Sequence, residues 1–151
     1  MINYEKEGAD VDTEIISVKK WLNRGWKLNE EINTLLEEER RAFDNASRIT
    51  SASDGERVQS STGNSSERRF INYTEYAMLI DGYIEKLTAI KEEIFMAIYK
   101  VENSTYRTLL IKRYIQFKTW ETIAEEMHYD RRNITRMHNK TLRIMQKIIN
   151  R

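Results

Sequence analysis

At 151 residues the chain is long enough for one or two small domains, and its net charge of +1 hides a strong asymmetry: residues 1–102 hold 14 Lys/Arg against 20 Asp/Glu, net −6, and residues 103–151 hold 11 against 4, net +7. With no cysteine there is neither a disulfide framework nor a thiolate metal site, which fits a reducing cytoplasm. No apolar run approaches the roughly 18–20 residues that span a bilayer, and the start MINYEKEGADVD is too acidic and polar for a signal peptide, so no membrane partner is expected.

Zero proline and five glycines point to a mostly helical chain, because proline breaks helix interiors. Residues 1–11 read as a frayed tail. A long helix is expected over about 13–49, with Val18, Leu22, Ile32, Leu36 and Phe43 in one apolar stripe that Gly25 and Asn29 interrupt. The run of Glu37, Glu38, Glu39, Arg40 and Arg41 reads as a solvated helix face rather than a metal cluster. Residues 50–69 are rich in Ser, Gly, Asn and Thr and read as a loop. Arg57, Arg68 and Arg69 within it could touch phosphates, but a flexible connector is the plainer reading.

A second long helix is expected over about 70–101. Tyr73, Ala77, Ile80, Ile84, Leu87, Ile94, Ile98 and Val101 follow alternating three- and four-residue steps, broken only at Lys91, which is a heptad seam. A narrow seam needs a helical partner. The first helix folded back as an antiparallel hairpin is one; the same helix of a second subunit, giving a homodimer through the arm, is the other. Sequence leaves both open. Residues 1–102 are thus expected to form a coiled-coil-like helical hairpin arm.

Asn103, Ser104 and Thr105 break the pattern, with Ser104 or Thr105 as the expected cap of a helix over 106–116. Leu109, Leu110, Ile111, Tyr114 and Ile115 would pack that helix behind the next two, together with Phe117 and Trp120. Thr119 is placed to cap a short helix carrying Ile123, Ala124 and Met127. A tight connector of His128, Tyr129 and Asp130 leads to a second helix. Ala124 is small where two helices would cross, the turn residue His128 comes four positions later, and Ile134 returns to the core ten positions after the alanine. That spacing is the helix-turn-helix pattern, which lays its second helix in the DNA major groove.

Asp130 is a good N-cap for that second helix. Arg131, Arg132, Asn133, Thr135, Arg136, Asn139 and Lys140 lie on the faces not used for packing. Arg reads guanine and Asn reads adenine through bidentate hydrogen bonds, Thr touches the thymine methyl, and all can hold phosphates. Lys140, Arg143 and Lys147 would follow the backbone or lie on its flank. Lys112, Arg113 and Lys118 lie on the expected backbone side and read equally as phosphate contacts or ordinary surface cations, and Thr119 is counted with the DNA-binding candidates. From position 129 to 151 there are seven Lys/Arg and one acid. The competing reading is a solvated basic helix with no nucleic-acid role. His128 and His138 stand ten apart with no cysteine, a poor metal spacing, and His138 reads as a surface or DNA-facing residue. No glycine-rich phosphate loop and no nucleophile–base–acid set is indicated, so no cofactor is expected and the chain does not read as an enzyme.

Two resemblances attach to these residues. The segment LIKRYIQFKTWETIAEEMHYDRRNITRMHNKTLRIM resembles region 4 of bacterial sigma factors, which reads the promoter −35 element and touches the RNA polymerase flap. GERVQSS together with RYIQFKTWETIA is similar to late-gene transcriptional regulators of the ArpU/RinA type from phages of Gram-positive bacteria, over roughly residues 12–149. The resemblance implies a phage or prophage origin, a bacterial cytoplasm, promoter binding with late-gene activation, and host RNA polymerase as a further partner. His128 stands where such motifs usually carry Gly, and Asp130 where Ser is usual. The expectation is therefore an all-α chain, with an arm over 1–102 and a region 4-like helix-turn-helix domain over 103–151, acting as a sequence-specific regulator on double-stranded DNA. The alternative is a DNA-packaging oligomer like a small terminase subunit, which also joins a helix-turn-helix to a helical hairpin.

Overall fold

The computed structural model describes the backbone of residues 4–51 and 62–150, and side chains from 13 to 47, at 68, and from 71 to 150. All regular elements among them are helical: α1 (Tyr4–Leu22), α2 (Arg24–Ser51), α3 (Thr62–Tyr99), α4 (Ser104–Leu110), a π-type turn (Ile111–Ile115), α5 (Trp120–Met127) and α6 (Arg131–Ile149). No described helix is long and apolar enough to cross a membrane.

The expected first helix over 13–49 is two helices, and the break falls at Asn23 rather than at Gly25 or Asn29. The Asn23 N–H still reaches the Lys19 carbonyl at 3.0 Å, while its own carbonyl accepts from Trp26 at 3.1 Å. Arg24 fixes this corner. Its Nε donates to the Trp21 carbonyl at 3.1 Å, its guanidinium lies 4.6 Å from the Trp21 ring, and its Nη2 pairs with Glu93 at 2.8 Å. Helix also extends further than composition suggests: α1 begins at Tyr4 within the expected tail, and α3 begins at Thr62 within the expected loop. Residues 52–61, including Arg57, lie outside the described residues.

The chain divides into two compact units, Met1–Lys27 with Thr88–Arg151, and Leu28–Leu87. In the larger unit one core joins Val18 and Leu22 of α1, Ile94 and Ile98 of α3, Val101, Leu110 of α4, Tyr114 of the π turn, and Leu142 and Met145 of α6. A second core joins Leu109, Ile123, Ala124 and Ile134, flanked by Trp120, Met127 and Met137. Leu109 and Leu110 are sequence neighbours facing opposite cores, so α4 is buried on two sides. Each fully buried Leu or Ile contributes about 1.5–3 kcal/mol. A cut at residue 102 therefore runs through a core rather than beside one. The lower end of the expected seam (Ile94, Ile98 and Val101) packs on α1, α4 and α6, not along an arm.

The smaller unit is thinly packed. Ile32 of α2 and Ile80 and Leu87 of α3 are buried, and the Phe43 and Tyr73 rings approach at 5.8 Å. Leu36 and Phe43, expected in the buried stripe, are exposed, as are Ile84, Ile71, Met78 and Leu79. Gly82 lies on α3 with no atom within 4 Å of where a Cβ would sit. Glycine in a helix interior costs backbone entropy that alanine does not. Gly82→Ala is accordingly expected to stabilise the protein by about 0.5–1 kcal/mol, read as a higher midpoint in urea denaturation.

Candidate nucleic-acid interface

α4 is capped by Asn103, not by Ser104 or Thr105: Asn103 is extended (φ −75°, ψ 117°) and its Oδ1 accepts from Tyr106 N–H at 3.0 Å. The π turn comes next, with Gln116 N–H bonded to the Ile111 carbonyl at 3.0 Å, and the chain reverses at Phe117, whose φ of 56° is left-handed. Thr119 then caps α5, its hydroxyl accepting from Thr122 N–H at 3.2 Å. On α5 the buried Ile123 and Ala124 meet Leu109 and Ile134.

α5 ends because His128 turns left-handed, φ 57° and ψ 39°. Tyr129 N–H then closes onto the Ala124 carbonyl at 3.0 Å, a termination glycine usually provides. Asp130 restarts the chain as helix: its Oδ1 accepts from Asn133 N–H at 2.7 Å. A small residue at the crossing, a left-handed turn and a carboxylate cap thus set the entry of α6.

α6 is sharply two-faced. Ile134, His138, Thr141, Leu142 and Met145 are buried. Arg131, Arg132, Thr135, Arg136, Asn139, Lys140, Arg143 and Lys147 are exposed, so the outer face carries six cations and no acid. Arg132, Arg136, Lys140, Arg143 and Lys147 step by four, four, three and four, one stripe about 22 Å long at 1.5 Å per residue. Among the described residues none of these five forms a salt bridge. Arg131 does, with Glu121, but both side chains are largely exposed and such a pair is worth little. It can exchange its carboxylate for a phosphate.

The remaining candidates are otherwise engaged. Asn133 is half-buried and its Nδ2 donates to the Asp130 carboxylate at 3.3 Å, so it supports the cap. Lys118 pairs with Glu126 at 2.5 Å, and Lys112 shares the same carboxylate. Hydrogen bonds from Lys112 and then Lys118 hold the Glu126 carboxyl below its usual range. Thr119 is used as a cap.

Arg113 is the clearest departure from expectation. Its guanidinium lies between two tryptophans, 4.6 Å from the centroids of Trp26 and Trp120, and its Nη1 donates to the Lys118 carbonyl at 2.8 Å. Burial lowers its pKa. The stack continues on both sides: Trp26 stands edge-on to Phe117 at 5.6 Å with Lys91 over that ring at 4.7 Å, and Trp120 stands against His138 at 4.7 Å. His138 is 6% exposed, which corrects its reading as a surface or DNA-facing residue. Its Nε2 hydrogen-bonds the Tyr114 hydroxyl at 2.7 Å. Desolvation, helped by the charges of Lys19 and Arg113, lowers its pKa to about 4, so the ring is neutral near pH 7. These side chains act as a keystone that ties α6 to the π turn, to α5 and to the start of α2.

Beside the keystone is a cleft of about 230 Å³, lined by Lys19, Asn23, Arg113, Tyr114, Trp120, Thr135, His138 and Asn139. Sequence reading missed Lys19 and Asn23, because nothing local ties the end of α1 to α6. No group of three or more His, Asp or Glu among the described residues could hold a metal ion. The chain matches no protein-family model, no curated protein and no solved structure.

Proposed function

We propose that this protein is a sequence-specific regulator that binds double-stranded DNA, with α5 and α6 as a helix-turn-helix and α6 entering the major groove. The observation that carries the reading is the outer face of α6: six cations and no acid, opposite a fully packed face. A major groove about 12 Å wide admits one helix. In this reading Arg132, Arg136, Thr135 and Asn139 meet base edges, while Lys140, Arg143 and Lys147 neutralise phosphates. Asn133 serves the cap and contributes indirectly. α2 and α3 between 28 and 87 serve as a helical hairpin arm. Resemblance to the ArpU/RinA-type regulators supports late phage genes as the target.

Capture of genomic fragments by the purified protein, with a salt titration on the best site, tests the proposal. One enriched motif upstream of a late operon, with affinity falling steeply as salt rises, is the expected result. Enrichment at a packaging start would favour the terminase-like alternative. Arg132→Ala and Arg136→Ala are each expected to weaken specific binding by about 1–3 kcal/mol with helical content unchanged. Undiminished binding by both variants would overturn the placement of α6.

A further inference from the structure

We propose that the cleft beside His138 seats a phosphodiester of the bound duplex, with Lys19 as its cation, so that α1 belongs to the DNA interface. The proposal rests on the DNA-binding reading and adds a contact from outside the α5–α6 pair.

The cleft has the chemistry of an anion seat. Two cations line it, Lys19 and Arg113, and no carboxylate does. The carboxamide of Asn23 adds a hydrogen-bond donor, while the Thr135 hydroxyl is spent on the Arg131 carbonyl at 3.0 Å. Trp120 and Tyr114 supply an apolar wall that suits a sugar. Since a liquid water occupies about 30 Å³, 230 Å³ holds a tetrahedral anion and several waters.

The two cations divide the work. Arg113 is held by its tryptophans and the Lys118 carbonyl, so it contributes a fixed field. Lys19 is exposed on the last turn of α1 and is free to close on a ligand. Position decides the occupant. Thr135 and Asn139 line the cleft and also lie on the exposed face of α6. A duplex laid along that face brings its backbone past the mouth.

The test compares full-length wild type, Lys19→Gln and Lys20→Gln on the captured duplex and on a random-sequence duplex across a salt series. Lys20 is exposed beside Lys19 but does not line the cleft. Lys19→Gln is expected to lose about threefold to tenfold affinity on both duplexes alike and to lower the log–log salt slope by about one. Lys20→Gln should match wild type. Wild-type behaviour of Lys19→Gln, or equal losses in both variants, overturns the cleft and leaves the DNA reading standing. The chain has two histidines, so imidazole NMR signals separate the sources of phosphate: His138 reports the cleft and His128 is the control. If the protein binds no duplex, yet inorganic phosphate or a deoxynucleoside monophosphate shifts His138 in wild type and not in Lys19→Gln, the duplex occupant is overturned in favour of a free ligand, and the DNA reading falls with it.

Discussion

Residues 103–151 expressed alone are expected to show no cooperative unfolding transition. Five side chains of the principal core, Val18, Leu22, Ile94, Ile98 and Val101, lie outside that fragment. At about 1.5–3 kcal/mol for each buried aliphatic side chain, their loss removes roughly 7–15 kcal/mol, comparable to the whole stability of a typical domain. The fragment would also expose Leu110, Tyr114, Leu142 and Met145. Other ties go with them. Arg107 Nη1 donates to the carbonyls of Val101 at 2.6 Å and Glu102 at 2.9 Å, and Trp26 forms one side of the Arg113 sandwich. Circular dichroism melts and urea titrations of fragment and full chain check this. A sigmoidal transition in the fragment near the full-chain midpoint would show that α1 and the end of α3 are dispensable. The practical consequence is that this truncation cannot separate the proposed DNA binding from loss of the fold. Point substitutions on the outer face of α6 can.

What could be read from sequence was what is decided between near neighbours. Thr119 and Asp130 were legible as caps because a cap bonds an amide three residues on. The spacing of Ala124, His128 and Ile134 was legible because a crossing, a turn and a return occupy eleven positions. His128 adopts a left-handed backbone although it is not glycine, as its place in the spacing required. The misses share one cause: they depend on partners distant in sequence. His138 is polar, although Ile134 four positions before it and Leu142 four after it put it on the packed face. Its burial makes sense only with Tyr114, 24 residues away, to satisfy Nε2 and Trp120 to cover the ring. Arg113 resembles any surface arginine until Trp26 and Trp120 close around it. Val101, Ile98 and Ile94 kept the period of an arm seam, but period cannot say which helix answers it. The corner at Asn23 has no proline or left-handed glycine to mark it; Arg24 makes it through Trp21 and Glu93.

Acidification from pH 7 to pH 5 is expected to destabilise the larger unit through His138. Three facing groups set the sign. Tyr114 offers its hydroxyl, and burial pushes that phenol well above its ordinary value, so it stays protonated and shares a hydrogen bond with the neutral ring. Lys19 and Arg113 are positive and oppose a second positive charge. The folded imidazole therefore titrates at about 4, against an ordinary value of 6.5. The unfolded chain takes the proton first, so stability rises with pH across this window. It is fully present above 6.5 and lost as pH falls toward about 4, at up to about 1.4 kcal/mol per pH unit and roughly 3 kcal/mol in all. Glu126 acts lower: its depressed carboxyl contributes stability that is lost only below the ordinary value of 4.5. Urea unfolding at pH 7, 6 and 5 should show the midpoint of wild type falling steadily. His138→Gln keeps a hydrogen-bonding group beside the Tyr114 hydroxyl but cannot take the proton, so its midpoint should start lower and stay nearly level. An equal slope in the variant would assign the acid sensitivity to other groups and leave His138 a packing residue only.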